Sequence, residues 1–262
     1  MRVTLLFLAV FLPIFACFII VTPTFKRDNL VGRFLQRYAV NLPNEMPELK
    51  AIYIVWANLE RSPFDSHNVM KDKDNWKVPV HFHIPPTSSL NYRFYLPEGH
   101  SDDTAVFSLD DDLIISTQDI RKAFEVWKAQ TSPSIVGYTS RAAKKTQSGG
   151  LRYVYNTYGR ANYSMVLTNA AFISPVFIRA YNNVKDDKIA KMRLIVDEQR
   201  NGEDIGMNFV AKQLGNPSLV CVSGKLDEDP EACVNGISYG KSHDAKRNLC
   251  LNEFAKIFGF AP

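Results

Sequence analysis

Apolar and polar positions alternate along this chain in a pattern that predicts an α/β domain. Continuous apolar runs of strand length occur at 51–56 and 104–109, as is typical of strands that are buried on both faces of a sheet. Leu30, Phe34 and Tyr38 recur at helical spacing before the first of these runs. Because strand-like and helix-like stretches alternate, we expect a central sheet that is flanked by helices.

The segment 78–83 alternates in polarity and predicts an edge strand, since Pro79 lacks the N–H that a central strand needs. His81 and His83 would share one face of this strand. They are interpreted as solvent-facing side chains, with a metal-binding pair as the alternative.

Two further helices are indicated by their start signals and apolar stripes. The segment 116–119 reads as a capping box in which Asp119 satisfies a first-turn amide, and a second helix is predicted to begin near Glu203 and to end at 215–217. Between these helices, 144–150 is interpreted as a mobile surface loop. The side chains predicted to be buried on the two helices are Ile120, Phe124 and Trp127 on the first, and Ile205, Phe209 and Leu214 on the second.

The N-terminus carries an uncharged apolar run from Val3 to Thr24. Residues 1–17 are interpreted as a signal peptide or a short membrane anchor. A continuous membrane helix is the alternative, because the whole run reaches the length that such a helix needs. We prefer to divide the run, with a β-branched strand at 18–24 that opens a single domain covering 18–262.

Composition narrows the function classes. The 262 residues are 46% hydrophobic and 22% charged, which argues against disorder. The net charge of +4 is too weak to predict a nucleic-acid partner. Four cysteines exclude a disulfide-dense scaffold, and their spacing does not suggest a zinc site. In an oxidising lumen Cys221 would pair with Cys233; the alternative is that the thiols are buried and free.

An acidic triplet, Asp110, Asp111 and Asp112, directly follows the predicted strand at 104–109. In open α/β sheets, ligands bind at this edge. Because neighbouring carboxylates repel one another, a bound cation would stabilise them. Asp110 and Asp112 are two residues apart and could both face a ligand, and their oxygens suit Mn²⁺ or Mg²⁺. The alternative is a solvated turn whose aspartates cap the next helix.

Several segments in order resemble the exostosin-type glycosyltransferases. SLNYRF at 89–94 and AVFSLDDD at 105–112 resemble the most distinctive motif of that family. The other matching segments are VTPTFKR at 21–27, VGY at 136–138, YSMVLTNAAF at 163–172, EDIGMNF at 203–209 and RNLC at 247–250. Motifs that keep their order across nearly the whole chain are more specific than an acidic triplet alone.

The resemblance implies a single GT-A type domain with a mixed, mostly parallel central sheet flanked by helices. It also implies a metal-dependent, retaining enzyme that transfers N-acetylhexosamine from UDP-GlcNAc or UDP-GalNAc to a glycan, glycoprotein or glycolipid. The enzyme would work in the lumen of the Golgi or endoplasmic reticulum, as a single-pass membrane protein or a secreted one. A catalytically silent member that binds a nucleotide sugar or a glycan is the alternative, and the oligomeric state is left open.

Site residues follow from the same resemblance. Asp112, together with Asp110, would bind Mn²⁺ or Mg²⁺. Asp204 and Arg247 would be the catalytic residues, with Asp204 positioning the acceptor in a same-face substitution. The residues assigned to the donor are Thr24, Arg27, Asn58, Asn91, Arg93, Asp110 and Asp111. Asp204 as a plain helix cap, and Arg93 and Arg247 as surface ion-pair partners, are the alternatives.

The chain also departs from the family pattern. Ser88 and Asn169 stand where the family has Asn and Gly, and Ala57 interrupts a Trp-Asn-Asn pattern. Gly202 stands where related enzymes can carry a cysteine that pairs with the position of Cys250. Asn162 begins a glycosylation sequon, but it overlaps a motif strand, so a buried and unmodified Asn162 is predicted.

Overall fold

The computed structural model of the protein describes residues 16–155, 157, 163–232 and 242–262. The strands in these ranges are β1 (Cys17–Thr24), β2 (Leu49–Trp56), β3 (Val80–His83), β4 (Thr104–Leu109), β5 (Leu113–Ile114), β6 (Ser134–Gly137), β7 (Ser140–Lys145), β8 (Leu151–Val154), β9 (Met165–Val166), β10 (Ala170–Ile173), β11 (Ser218–Cys221) and β12 (Asp227–Glu228). The helices are α1 (Asp28–Leu35), α2 (His67–Met70), α3 (Thr117–Lys128), α4 (Pro175–Tyr181), α5 (Asp187–Gln199), α6 (Glu203–Gln213) and α7 (His243–Phe258).

The central sheet has seven strands in the order β11-β6-β10-β4-β1-β2-β3. The neighbouring pairs β4–β1, β1–β2, β2–β3 and β6–β11 are parallel, whereas β10 runs antiparallel to both β4 and β6. Two small sheets accompany it, β12-β5 and β8-β7-β9. The predicted α/β architecture, with a mixed and mostly parallel sheet, is therefore confirmed, and the predicted edge strand lies at one edge of that sheet.

Alternate residues of the strands face two separate hydrophobic cores. Phe18 and Ile20 of β1 point into a core with Phe34 and Phe124 from α1 and α3. Ile19 on the same strand points the other way, into a core that includes side chains of α4 to α7. Burial on both faces explains why β1, β2 and β4 are continuous apolar runs.

The predicted helical stripe of Leu30, Phe34 and Tyr38 is confirmed, since all three side chains are buried. The helix begins as α1 and continues at Gln36–Asn41 as a π-helical turn. Tyr38 ends this stripe with its hydroxyl bound to the carbonyl of Leu113, 3.0 Å away, so the helix also touches the chain directly after the acidic triplet.

Three smaller predictions need correction. Leu214 is 51% exposed, because it lies beyond the end of α6 and turns away from the core. At the start of α3 the amide of Asp119 donates to Ser116 Oγ, and the Asp119 carboxylate accepts from that hydroxyl and from the amide of Lys225, not from an amide in the first turn of α3. Lys144 and Lys145 belong to strand β7, so only the following residues form the connecting turn to β8.

The remaining sequence predictions fall partly outside the described residues. Residues 1–15, Asn162 and Cys233 lie there, so the leader, the sequon and the Cys221–Cys233 pair are not described. Among the described cysteines, Cys17, Cys221 and Cys250 are free thiols. In the part of the chain that is described, no helix is both long and apolar enough to cross a bilayer.

His81 and His83 lie on the outer strand of the sheet and stack on aromatic rings. His81 stacks on Tyr53 and His83 stacks on Tyr95, with ring centroids 4.8 and 4.0 Å apart. Burial lowers the pKa of His83. His81 is exposed, so the predicted solvent-facing position is confirmed for it, whereas His83 is half-buried and packs against Tyr95.

Helix α5 depends on its N-cap. The Asp186 carboxylate accepts hydrogen bonds from the amides of Lys188 and Ile189. Partial burial acts to raise the pKa of Asp186, but these hydrogen bonds outweigh it and leave the pKa lowered. The cap therefore stabilises the fold above the pKa of a free aspartate and loses its effect as the pH falls through the lowered value.

Asp186→Ala is expected to lower the free energy of unfolding by about 1 kcal/mol at pH 7. The deficit relative to the wild type should shrink as the pH falls below about 4, the range in which an aspartate is protonated. Urea unfolding at several pH values measures both effects. Asp187→Ala, one residue further on, is the control and should cost less; equal stability of the Asp186 variant and the wild type at pH 7 would contradict the cap.

Candidate active site

The carboxyl ends of β1 and β4 bring the principal charged residues together. These strands are parallel neighbours, with Val21 opposite Ser108, so the chain that follows each strand emerges at the same edge of the sheet. Thr24 is the last residue of β1 and Arg27 lies in the turn that follows it, and the acidic triplet comes from the turn after β4. A sheet edge of this kind is where α/β proteins bind ligands.

The three aspartates do not point the same way. The side chain of Asp111 is 4% exposed and turned inward, whereas those of Asp110 and Asp112 are 33% and 24% exposed. Asp110 and Asp112, which are two residues apart, therefore have carboxylates that a ligand can reach. The middle carboxylate is held inside the protein.

Arg27 is fixed by this inward carboxylate. Its Nη1 donates to Asp111 Oδ1 at 2.9 Å and to Asp112 Oδ2 at 2.8 Å. Thr24 donates its hydroxyl to the other oxygen of Asp111, at 2.7 Å. Thr24 and Asp111 thus orient Arg27 beside the triplet, and Arg27 itself stays partly accessible.

Arg93 joins the triplet to helix α6. It lies at the end of a short 3₁₀ helix, Leu90–Phe94, and is almost fully buried. One arm of its guanidinium donates to Asp110, and the other donates to Glu203 Oε1 at 2.7 Å. Its Nε, which is also buried, has no hydrogen-bond partner. This burial excludes the alternative that Arg93 is a surface ion-pair residue.

Burial raises the pKa of Asp110 to about 7, although Arg93 opposes the shift. It also raises the pKa of Asp111 to about 6, against the opposing effect of Arg27. Adjacent carboxylates add to both shifts. Two arginines therefore do not fully compensate the negative charge of the triplet, and an additional cation would stabilise it.

Asp204 and Arg247 form a second buried ion pair on the other side of Glu203. Arg247 Nη2 donates to Asp204 Oδ2 at 2.7 Å and to the Tyr153 hydroxyl at 2.6 Å. Asp204 Oδ1 accepts from the amide of Ile205 in the first turn of α6, at 2.7 Å. The N-cap of this helix is Gly202, so Asp204 is more than a plain cap, and Arg247 is too deeply buried to be a surface residue.

Glu203 and Asp204 are adjacent buried acids, and their surroundings separate them electrostatically. Burial and repulsion from Asp204 raise the pKa of Glu203. Burial acts on Asp204 in the same direction, but Arg247 outweighs it and the pKa of Asp204 is lowered. Asp204 is therefore ionised at neutral pH, and both of its oxygens already accept hydrogen bonds.

Asparagine side chains hold α6 and α7 in place around this pair. Asn208 of α6 exchanges two hydrogen bonds with the backbone of Val166 in β9, at 2.9 and 3.0 Å. Asn248 of α7 accepts from the amide of Tyr153 in β8, at 2.8 Å. β8 and β9 are the edge strands of their small sheet, and each asparagine makes the backbone hydrogen bonds that a further strand would make. Together the two asparagines position Asp204, Arg247 and Tyr153.

The remaining two predicted donor residues have local partners. Asn91 is buried, donates to Asp197 and the carbonyl of Arg193, and accepts from the Tyr181 hydroxyl. Asn58 follows β2 and accepts from the amide of Glu60. Asn91 therefore anchors the segment that carries Arg93, and Asn58 shapes the loop beside Thr24, whose carbonyl accepts from the amide of Ala57.

The carboxylate oxygens of the acidic triplet are suitable ligands for a divalent cation that a substrate also binds. Within the described ranges, no cluster of three or more His, Cys, Asp or Glu side chains is arranged to hold a metal. The carboxylates of Asp110 and Asp112, which are partly exposed and already bind Arg93 and Arg27, are the groups that would hold such a cation. Mg²⁺ in substrate-phosphate sites is bound in this way, by one or two carboxylates together with phosphate oxygens.

Comparison with known proteins identifies the family. Residues 17–262 match the Glycosyl transferase family 64 domain. The chain belongs to this family. This is a family of glycosyltransferases, and the predicted exostosin-like relationship is confirmed, as is the predicted mixed, mostly parallel sheet flanked by helices.

Three proteins that are similar to this family 64 chain carry three different names. It is 30% identical over 245 residues to an exostosin-like-3 homolog of Caenorhabditis elegans, covering 94% of this chain but 28% of that protein. It is 32% identical over 252 residues to glycosylinositol phosphorylceramide mannosyl transferase 1 of Arabidopsis thaliana, covering 91% and 71%. It is 28% identical over 260 residues to exostosin-like 2 of Homo sapiens, covering 94% and 74%.

Two residues of this family 64 site escape the sequence reasoning. Glu203 is predicted as the start of a helix and lies in a matching motif without an assigned role, and the sequence predicts nothing for Tyr153. Two adjacent acids at a helix start signal that cations must compensate them if both become buried, but they do not say which arginines do so. Tyr153 has no comparable signal, because its contact with Arg247 depends on how β8 packs on α7.

Proposed function

We propose that this family 64 protein is a metal-dependent, retaining glycosyltransferase. It moves N-acetylhexosamine, GlcNAc or GalNAc, from a UDP-sugar to a glycan, glycoprotein or glycolipid acceptor. We place this activity in the lumen of the secretory pathway, with membrane association through the N-terminal segment. Mn²⁺ is the expected cation, with Mg²⁺ as its substitute.

One observation carries this proposal: a single guanidinium connects the two halves of the site. Arg93 contacts Asp110 of the triplet and Glu203, which directly precedes Asp204. The carboxylates suited to a donor diphosphate and the Asp204–Arg247 pair therefore belong to one continuous network. A site that only bound a cation would have no need of the second ion pair.

The arginines supply the chemistry that a diphosphate requires. Arg27 and Arg93 flank the triplet, and a guanidinium matches phosphate geometry with two parallel donors. The unpartnered Nε of Arg93 is a further donor in this site. When held by Asp110 and Asp112, Mn²⁺ or Mg²⁺ adds positive charge that stabilises the diphosphate as a leaving group.

Asp204 is assigned to orienting the acceptor hydroxyl, and not to attacking the sugar. Its lowered pKa and its two hydrogen bonds stabilise the carboxylate and make it a weak nucleophile. In a same-face substitution the departing phosphate receives the acceptor proton, so no protein base is needed. Arg247 lies beside Asp204 and would stabilise negative charge that develops on the leaving diphosphate.

The donor sugar and the acceptor are the open parts of the proposal. The name of the Arabidopsis relative includes a mannosyl transferase and an inositol phosphorylceramide. Mannose donors and glycolipid acceptors therefore belong in any screen, alongside UDP-GlcNAc and UDP-GalNAc. The departures at Ala57 and Asn169 lie in segments expected to select the donor.

A donor screen tests the proposal. The protein is incubated with UDP-GlcNAc, UDP-GalNAc or GDP-mannose and a mixture of glycan and glycolipid acceptors, in Mn²⁺ or in EDTA. We expect release of UDP that requires Mn²⁺ and an acceptor, and mass spectrometry of the acceptors identifies the product. Binding of a UDP-sugar without turnover across this panel would instead support the silent member of the family.

A further inference from the structure

Asp229 lies outside the motifs and carries a buried carboxylate that the site described above does not use. Its carboxylate is 4% exposed. Both of its oxygens accept from Arg33 of α1, at 2.6 and 3.0 Å, and Arg37 lies 3.9 Å away. A carboxylate that is almost fully buried is costly to build because it loses most of its water, whereas Arg33 stays 31% exposed. A long-range pair, 196 residues apart in the chain, therefore calls for a reason beyond local stability.

The backbone of Asp229 supplies that reason. Its amide donates to the carbonyl of Asp112 at 2.7 Å. Just before it, β12 pairs antiparallel with β5, with Glu228 opposite Leu113. The chain at 227–229 thus lies along the chain at 112–114 and fixes the backbone of the acidic triplet where it leaves the site.

Helix α1 contacts both the acidic triplet and Asp229. Arg27 at its N-cap binds Asp111 and Asp112 through their side chains, and Arg33 on the same helix binds Asp229. The third nitrogen of the Arg33 guanidinium also binds Glu231, at 2.6 Å, so the whole fork is engaged. Asp112 is therefore held from two directions: its side chain by the start of α1, and its carbonyl by a residue anchored further along α1.

We infer that Asp229 and Arg33 are positioning residues for the metal-binding turn. They act through the Asp112 carbonyl and set the direction in which the Asp112 carboxylate points. This inference rests on the proposed function, because the turn is taken to hold a cation and a UDP-sugar. Residues that orient metal ligands typically change metal affinity by about 10–100-fold when they are replaced.

Asp229→Asn tests the pair, with Arg33→Lys as a milder variant. The asparagine keeps the backbone amide that binds Asp112 but loses the charge that anchors it on Arg33. We expect the Mn²⁺ concentration at half-maximal UDP binding to rise about tenfold in Asp229→Asn and less in Arg33→Lys. The effect of the double variant should be smaller than the sum of the two single effects, because both variants weaken the same Arg33–Asp229 pair. Glu125→Gln, which breaks the exposed Lys128–Glu125 pair on α3, is the matched control and should leave the value unchanged.

A second measurement needs no ligand. Hydrogen exchange of the peptide containing 110–115 reports whether the turn has loosened in the free protein. Faster exchange in Asp229→Asn than in Glu125→Gln supports the inference. Unchanged exchange there, or an unchanged Mn²⁺ requirement together with a lower melting temperature, would show a purely structural pair and overturn it. If the wild type bound no UDP with Mn²⁺, the proposed function would fail, whereas hydrogen exchange would still decide the positioning of the turn.

Discussion

Asp112→Asn is expected to reduce sugar transfer by more than about 100-fold, which exceeds the usual effect of residues that only orient a metal ligand. The amide is neutral and a weaker ligand for a hard cation than a carboxylate. Arg27 would keep its contact with Asp111, so the turn itself should stay folded. Initial rates of UDP release, measured across a range of Mn²⁺ concentrations, give the effect.

Asp103→Asn is the matched control for this variant. Asp103 is an exposed aspartate that lies just before β4, the strand that leads to the triplet. The control should transfer sugar at the wild-type rate. If Asp112→Asn did the same, the acidic triplet would be a solvated turn and the assigned cation site would be wrong.

Asp204→Asn is expected to lower kcat by about 100-fold, the lower range for a group that acts on a reacting proton or hydroxyl. The asparagine oxygen can still accept from the amide of Ile205. The charge that compensates Arg247 is lost, however, and the acceptor hydroxyl loses its orienting carboxylate. The KM for the donor should change little, because Asp204 does not belong to the triplet.

Asp187→Asn, an acidic residue in the first turn of α5, is the control for Asp204 and should have normal kinetics. Substantial turnover by Asp204→Asn would show that the assigned role is wrong. The intact mass of the wild type, incubated with donor alone, separates the two retaining mechanisms. A sugar attached to Asp204 would establish double displacement in place of same-face substitution.

The parts of the fold that depend on local pattern were predictable from the sequence. The strands at 51–56 and 104–109 are apolar because both of their faces are buried, and Leu30, Phe34 and Tyr38 form a stripe because the helix has one buried face. The position of the acidic triplet was also predictable, because the three aspartates directly follow the apolar run at 104–109. Both outer carboxylates are partly exposed, and the expectation that they face a common ligand stays a prediction.

The pairings across the site were not predictable in this way. Arg93 and Glu203 are 110 residues apart, and Arg33 and Asp229 are 196 apart. Nothing in the sequence near either residue specifies the partner, because the contact depends on which strands and helices become neighbours. The resemblance located Arg93 and Asp204 but not Glu203 or Tyr153, which connect and support them. Leu214 shows the same limit, since apolar spacing does not reveal where a helix ends.

Gly202 and Cys250 are neighbours in the structure, as the resemblance to related enzymes implies. A Cβ atom at Gly202 would lie 2.7 Å from the Sγ of Cys250, so the two positions do meet. Gly202 has a φ of +89°, which a side chain rarely adopts, and the Cys250 thiol stays free. Burial raises the pKa of Cys250 to about 12, so it is an unreactive thiol.

Calorimetric titration of UDP into the wild-type protein tests the central claim most directly. The claim is that the turn at 110–112 binds a nucleotide diphosphate together with a divalent cation. We expect saturable UDP binding in the presence of Mn²⁺, and its loss in EDTA and in Asp112→Asn. UDP binding of equal strength with Mn²⁺, with EDTA and in Asp112→Asn would contradict the account, as would the absence of UDP binding under all three conditions.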